Sequence, residues 1–310
     1  MTTPRIAVAH PLPDAFIQAL EQLGEVFVMG PDMQDMDNVS VIVASAMHPI
    51  DADFVSRCPD SVGLVANIGV GTDNIDFDAV KSRNIAVSNT PVVTEDTADL
   101  TMALLLATCR RLSTAERLLR AGDFESGSFQ LGLRVHGKTL GIVGFGAIGQ
   151  AVAKRAHGFD MDIIYHGPNR KQAAEKALDA KFCDELDSLL QQADIISLNC
   201  ALTTETRHIL NRERLAKVKA GAVIINTGRG ALIDEAALIE ALESGHLGGA
   251  GLDVYEFEPA VSTGLLKFDN VTLLPHIGSS TGVCRQEMAM RVINNIRAFF
   301  ETGSPVDACP

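Results

Sequence analysis

Short apolar runs alternate along the chain with longer stretches whose apolar positions recur every three and four residues. Runs of four or five Val, Ile, Leu and Ala residues bounded by Gly, Pro, Asn or Asp read as strands buried on both faces, and the stretches between them as helices. Such alternation builds parallel sheets from βαβ units, so the fold class is α/β. In the first third, strands are expected at 6–9, 26–29, 41–44, 64–68 and 85–88, enough for one small sheet. A second, more apolar series at 140–144, 163–166, 195–199, 223–226, 250–254 and 271–274 gives six strands, the number of a complete dinucleotide-binding domain.

A long helical pattern, 94–120, separates the two series, with Glu95, Asp96 and Asp99 near its start and Arg117 and Arg120 near its end, the order a helix dipole favours. Asp234 is placed to cap a helix that begins at Glu235, and Gly245 to end it. A last helix, 282–300, follows the second series and is expected to pack back on the first sheet. The expected organisation is therefore two Rossmann-like domains with parallel sheets. Residues 1–98 with 283–310 are expected to form one domain, into which a dinucleotide-binding domain, 99–282, is inserted.

Composition narrows the partners. The 310 residues carry 26 Lys and Arg against 39 Asp and Glu, a formal charge of −13, without a basic cluster to attract a phosphate backbone. Nucleic acid is thus not an expected partner. The run needed for a membrane helix, roughly 18 apolar residues, is absent, and the first residues lead directly into a strand pattern, not a leader. A cytoplasmic location is expected. Six cysteines are spread out with no C-x-x-C pair, which fits reduced thiols and no metal site.

Gly144-Phe145-Gly146-Ala147-Ile148-Gly149 follows a strand pattern and opens a helix pattern. In that setting a G-x-G-x-x-G turn is specific: the first Gly allows the tight turn, the second lets a pyrophosphate approach the backbone, and the third lets helix and strand pack closely. The next strand should end in an acid that holds the ribose 2′-hydroxyl of NAD, but it ends His166-Gly167-Pro168-Asn169-Arg170. With Gly167 at the acid's place, Arg170 and Asn169 are suited to a 2′-phosphate, so NADP(H) is expected in preference to NAD(H), with NAD(H) possible.

Three consecutive strands of the second series end in loops that carry Arg229, Glu258 and His276. Residues just past the ends of parallel strands face one crevice. An Arg, an acid and a His gathered there suit reduction of a ketone beside a carboxylate: hydride moves from a nicotinamide to C2, the oxygen gains charge, a cation grips the carboxylate, and an imidazole near neutrality gives the proton. Glu258 would hold and charge-balance the imidazole, with Glu256 as the competing choice.

The chain resembles the D-2-hydroxyacid dehydrogenases, and within them the glyoxylate and hydroxypyruvate reductases. Gly69-Val70-Gly71-Thr72-Asp73-Asn74-Ile75-Asp76, Asn89-Thr90-Pro91, the glycine turn, and the stretches around Arg229, Glu258 and His276 carry the resemblance. It implies a flavodoxin-like substrate domain around the inserted dinucleotide-binding domain, and reduction of a 2-keto acid to the D-2-hydroxy acid, with Arg229, Glu258 and His276 as catalytic residues and His276 as proton donor. It also implies substrate contacts from Val70, Gly71 and Arg229, to which His48 is added as a candidate. Thr97, Cys200, Thr206, Thr227, Asp253 and Gly278 are implied around the cofactor, with Asp253 at the nicotinamide carboxamide. A homodimer through about 94–134 is implied, with Phe124 and Phe129 in a loop where relatives often carry Trp. Because this chain has no Trp, a reductase of larger acids such as 2-ketogluconate or hydroxyphenylpyruvate is the alternative. Formate and phosphoglycerate dehydrogenases are further rivals, as is a dinucleotide-sensing, corepressor-like binding protein.

Overall fold

The computed structural model describes residues 3–30, 32–124 and 129–309. They form two compact units, Met1–Val93 with Ser279–Pro310, and Thr94–Gly278. The first junction falls ahead of the helix Thr94–Cys109, not inside it, because Ala98, Met102, Leu104 and Leu105 of that helix join the core of the second unit.

In the first unit, strands β1 (Arg5–Val8), β2 (Glu25–Val28), β3 (Val39–Ser45), β4 (Leu64–Ile68) and β5 (Ala86–Ser88) lie parallel in the order β2-β1-β3-β4-β5. Successive residues of β3 serve opposite faces. Ile42 lies in one core cluster with Phe54, Val55 and Val80, while Val41 and Val43 lie in another with Val292, Ile293 and Ile296 of the helix Gly282–Thr302. The last helix thus closes the first sheet, as expected.

The second unit holds β6 (Thr139–Val143), β7 (Asp162–His166), β8 (Ala180–Phe182), β9 (Ile195–Leu198), β10 (Val223–Asn226), β11 (Gly249–Leu252) and β12 (Val271–Leu273). All are parallel, in the order β12-β11-β10-β9-β6-β7-β8. The order reverses between β6 and β9, and ligands of open α/β sheets bind at such a point. Seven strands form where six were expected. The extra strand, β8, is a three-residue edge with only Ala180 buried, too short to leave a pattern.

The expected helix 94–120 is two helices, Thr94–Cys109 and Leu112–Arg120, parted at Arg111, whose φ is +52°. Leu133 donates its N–H to the Cys109 carbonyl at 2.7 Å and so takes a helix-end acceptor. The acids at the start of the first helix serve another purpose besides the dipole: Glu95 and Asp99 both pair with Arg155 of the helix Ala147–Ala156. Asp234 caps its helix by accepting the Ala237 N–H, and Gly245 follows that helix at φ +72°.

Candidate active site

The glycine turn joins β6 to the helix Ala147–Ala156 at the switch point. Gly144 has φ +93°, and a Cβ there would stand 2.4 Å from the Cys200 nitrogen; a Cβ on Gly149 would stand 2.2 Å from the Gly144 carbonyl oxygen. Both positions therefore admit only glycine. Around Gly146 the space is open, and the helix behind it starts without a side-chain cap or an acid in its first turn. Its N–H groups and dipole suit a pyrophosphate. Asn199, just past β9 and against Gly144, has a buried Nδ2 with no partner among the described residues. An open cradle and an unused donor fit a dinucleotide. Phe145 packs inward instead, stacked on Tyr165 at 4.0 Å, and steadies the turn against β7.

Gly167 follows β7 close to the turn, its Cβ position 3.9 Å from the Phe145 nitrogen. Arg170 lies three residues on and forms a bidentate pair with Glu175, both bonds at 2.9 Å. The sequence reading missed Glu175, whose approach depends on the turn that leads into its helix.

Arg229, Glu258 and His276 follow β10, β11 and β12, three adjacent strands. His276 Nδ1 lies 2.8 Å from Glu258 Oε2, and Oε1 of the same carboxylate accepts the Tyr255 N–H at 2.9 Å. One oxygen is thus fixed by backbone and the other holds the ring, which leaves the imidazole Nε2 for chemistry. Burial alone pushes the Glu258 carboxyl up. The His276 and Tyr255 hydrogen bonds and the positive charges of His276 and Arg229 outweigh it and hold the group below its usual range. Asn226 shapes the arginine loop by donating to the Arg229 carbonyl at 2.8 Å and accepting the Gly228 N–H at 3.1 Å. Glu256 is committed elsewhere: it meets His208 at 2.6 Å, and its N–H donates to Glu235 at 2.7 Å.

His276 sits at φ +54°, in the left-handed region. Asp253 stabilises that turn, accepting the Ile277 N–H at 2.7 Å on one oxygen and the Gly278 N–H at 2.8 Å on the other. Burial pushes the Asp253 carboxyl up, and the charge of Glu258 adds to it, against those two N–H groups and His276. Thr97 donates to the Gly278 carbonyl at 3.4 Å. The Thr101 hydroxyl gives its proton to the Thr97 carbonyl and meets Thr227 at 2.7 Å, so Thr227 is the donor of that pair. Thr97, Thr227, Asp253 and Gly278 thus form one buried frame behind the histidine loop.

Two cofactor candidates have structural duties. Thr206 donates to the Ala201 carbonyl and accepts the Thr203 N–H, both at 2.7 Å, and so folds its own loop. Burial pushes the Cys200 thiol up to about 11, which keeps it protonated and unreactive. In the first unit, Val70 and Gly71 follow β4, where their carbonyls accept from Asn89 at 2.9 Å and Asn67 at 2.8 Å. His48 follows β3, edge-on to Phe54 at 5.3 Å, and burial followed by the charge of His10 lowers its pKa. Among the described residues no cluster could hold a metal, and no helix is long and apolar enough to cross a membrane.

The family model for the NAD-binding domain of D-isomer specific 2-hydroxyacid dehydrogenases matches residues 102–278. The chain is 41% identical to the glyoxylate reductase of Pyrococcus horikoshii, over 96% of this chain and 92% of that one. Its fold matches a glyoxylate reductase structure from Paecilomyes thermophila with a TM-score of 0.92 and 40% identity, covering 100% and 99% of the two chains. The NADPH-dependent glyoxylate/hydroxypyruvate reductase of Sinorhizobium meliloti, solved with NADP and malonate, matches with a TM-score of 0.92 and 35% identity over 99% and 97%. With its intact glycine turn and its Arg, Glu and His at three neighbouring strand ends, the chain belongs to the D-isomer specific 2-hydroxyacid dehydrogenase family.

Proposed function

We propose that this enzyme reduces glyoxylate to glycolate, and hydroxypyruvate and similar small 2-keto acids to D-2-hydroxy acids, with NADPH preferred over NADH. The observation that carries the reading is the 2.8 Å bond between His276 Nδ1 and Glu258 Oε2, with the charge of Arg229 acting on the same carboxylate. Relatives named glyoxylate reductases at about 40% identity support the substrate class. A bound reduced nicotinamide would supply the hydride for C2.

The chain's own residues do the rest. Arg229 grips the substrate carboxylate and polarises the ketone, a task for which a planar fork suits better than an ammonium. His276 holds a proton on Nε2 and gives it to the C2 oxygen as charge develops there. Glu258 keeps the ring in one orientation and offsets the charge of the imidazolium. Asp253 holds the histidine's turn from behind.

The N–H groups of Val70 and Gly71 are proposed as further contacts for the carboxylate, and His48 for the rest of the substrate. For the cofactor, the residues 144–149, Gly167, Asn169 and Arg170 are proposed along the phosphates and adenosine, with Thr97, Cys200, Thr206, Thr227, Asp253 and Gly278 toward the nicotinamide. The NADP-bound relative from Sinorhizobium meliloti supports this class of cofactor.

A homodimer through 94–134 is proposed as well, in the cytoplasm. The helix Leu112–Arg120 buries none of its residues, and Leu119, Phe124 and Leu131 are exposed. Exposed apolar side chains on this helix and in the segment after it support an interface there. Residues 125–128 of this segment lie outside the described residues.

The test is loss of NADPH and NADH absorbance with glyoxylate, hydroxypyruvate, pyruvate, phenylpyruvate and 2-ketogluconate. Glyoxylate and hydroxypyruvate are expected to give the highest kcat/KM, and NADPH a lower KM than NADH. Highest turnover on phenylpyruvate or 2-ketogluconate would replace the proposal with the larger-acid reading.

A further inference from the structure

An acid that would hold a ribose 2′-hydroxyl is missing at the end of β7, where Gly167 stands, yet a carboxylate on the next helix pairs with Arg170, three residues further on. Glu175, on the helix Gln172–Ala177, accepts the Tyr165 hydroxyl at 2.6 Å and Arg170 Nε at 2.9 Å on Oε1, and the second Arg170 nitrogen at 2.9 Å on Oε2. Tyr165 is fully buried, stacks on Phe145 of the glycine turn, and accepts the Lys171 N–H at 2.8 Å.

The two partners of Glu175 differ in mobility. Tyr165 is locked in the core, whereas the Arg170 side chain is 55% exposed and rests over the Phe182 ring at 5.7 Å. An exposed ion pair is readily exchanged. The Arg170 fork already holds a carboxylate by two parallel bonds, the geometry with which guanidinium also holds a phosphate.

We propose that Arg170 and Glu175 form a two-way selector for the 2′ substituent of the cofactor's ribose. With NADH, Glu175 accepts the 2′-hydroxyl and keeps its bonds to Tyr165 and Arg170. With NADPH, Arg170 leaves Glu175 and takes the 2′-phosphate. The proposal rests on the assignment of Arg170 to the cofactor made above. Its consequence is that Glu175 supports NADH and opposes NADPH, both by occupying the fork and by repelling a phosphate.

Titration of the fluorescence of NADPH and of NADH tests this on the native enzyme, Glu175→Gln and Arg170→Ala; the chain has no Trp to contribute emission. Glu175→Gln is expected to tighten NADPH about fivefold and to weaken NADH by a similar factor. Arg170→Ala is expected to weaken NADPH about tenfold and to change NADH by less than about twofold. If Glu175→Gln moves both dissociation constants the same way, or neither, the selector is overturned. If Arg170→Ala leaves NADPH binding unaltered, the assignment of Arg170 to the phosphate fails, and the response of NADH to Glu175→Gln then decides the role of Glu175 alone.

Discussion

Replacing Glu258 with Gln keeps the size of the side chain and removes the charge that faces His276. The Tyr255 N–H still has an oxygen to donate to, so the loop retains its anchor and the change falls on the imidazole. Two unit charges about 4 Å apart interact by about 4 kcal/mol at an effective dielectric near 20. The His276 side chain is 37% exposed and that of Glu258 18%, so solvent screens part of this. Halving the figure leaves about 2 kcal/mol for the imidazolium in the transition state, or about a 30-fold fall in kcat/KM. Steady-state loss of NADPH with glyoxylate measures the fall, and a fluorescence titration of NADPH checks that cofactor binding is retained. A variant within about threefold of native kcat/KM would refute the role given to Glu258.

The depressed Glu258 carboxyl also has a stability signature. A group held below its usual 4.5 stabilises the fold at pH values above that figure, and the contribution is lost as pH falls through the lowered value. Thermal midpoints followed from about pH 7 to pH 3 should therefore fall more steeply for the native chain than for Glu258→Gln, and parallel curves would contradict the charge balance. Gly149→Ala places a Cβ 2.2 Å from a carbonyl oxygen and should cost about 1 to 3 kcal/mol in urea unfolding; an unchanged midpoint would show that the turn relaxes. Sedimentation should show a dimer for the native chain and a monomer for a Leu119→Glu, Leu131→Glu double variant, whereas a native monomer would remove the proposed interface.

Both sheets were legible because parallel strands buried on two faces leave continuous apolar runs. The expected strand at 223–226 coincides with β10, and that at 64–68 with β4. What escaped depends on the path of the chain. β8 has one buried residue, and the helix end before Arg111 has its Cys109 carbonyl taken by the N–H of Leu133, far along the sequence.

The same division runs through the site. The Gly144 turn and the placement of the three strand-end residues were readable from context, since a tight turn needs glycine and residues just past parallel strand ends share one crevice. Tyr255 as anchor of Glu258 and Asn199 as a donor beside Gly144 were not, because a backbone N–H has no sequence signature and an Asn after a strand is common. Glu175 was hidden because its reach toward Arg170 is set by the turn between them.

Arg229, Glu258 and His276 are proposed to act together to reduce a 2-keto acid to one hand of alcohol. Chiral analysis of the product from hydroxypyruvate and NADPH tests it directly, with the native enzyme and His276→Ala side by side. The native enzyme is expected to give D-glycerate alone, and the variant to lose about 100-fold or more in rate with NADPH affinity retained. L-glycerate, a mixture of both hands, or a variant that turns over at the native rate would contradict the proposal.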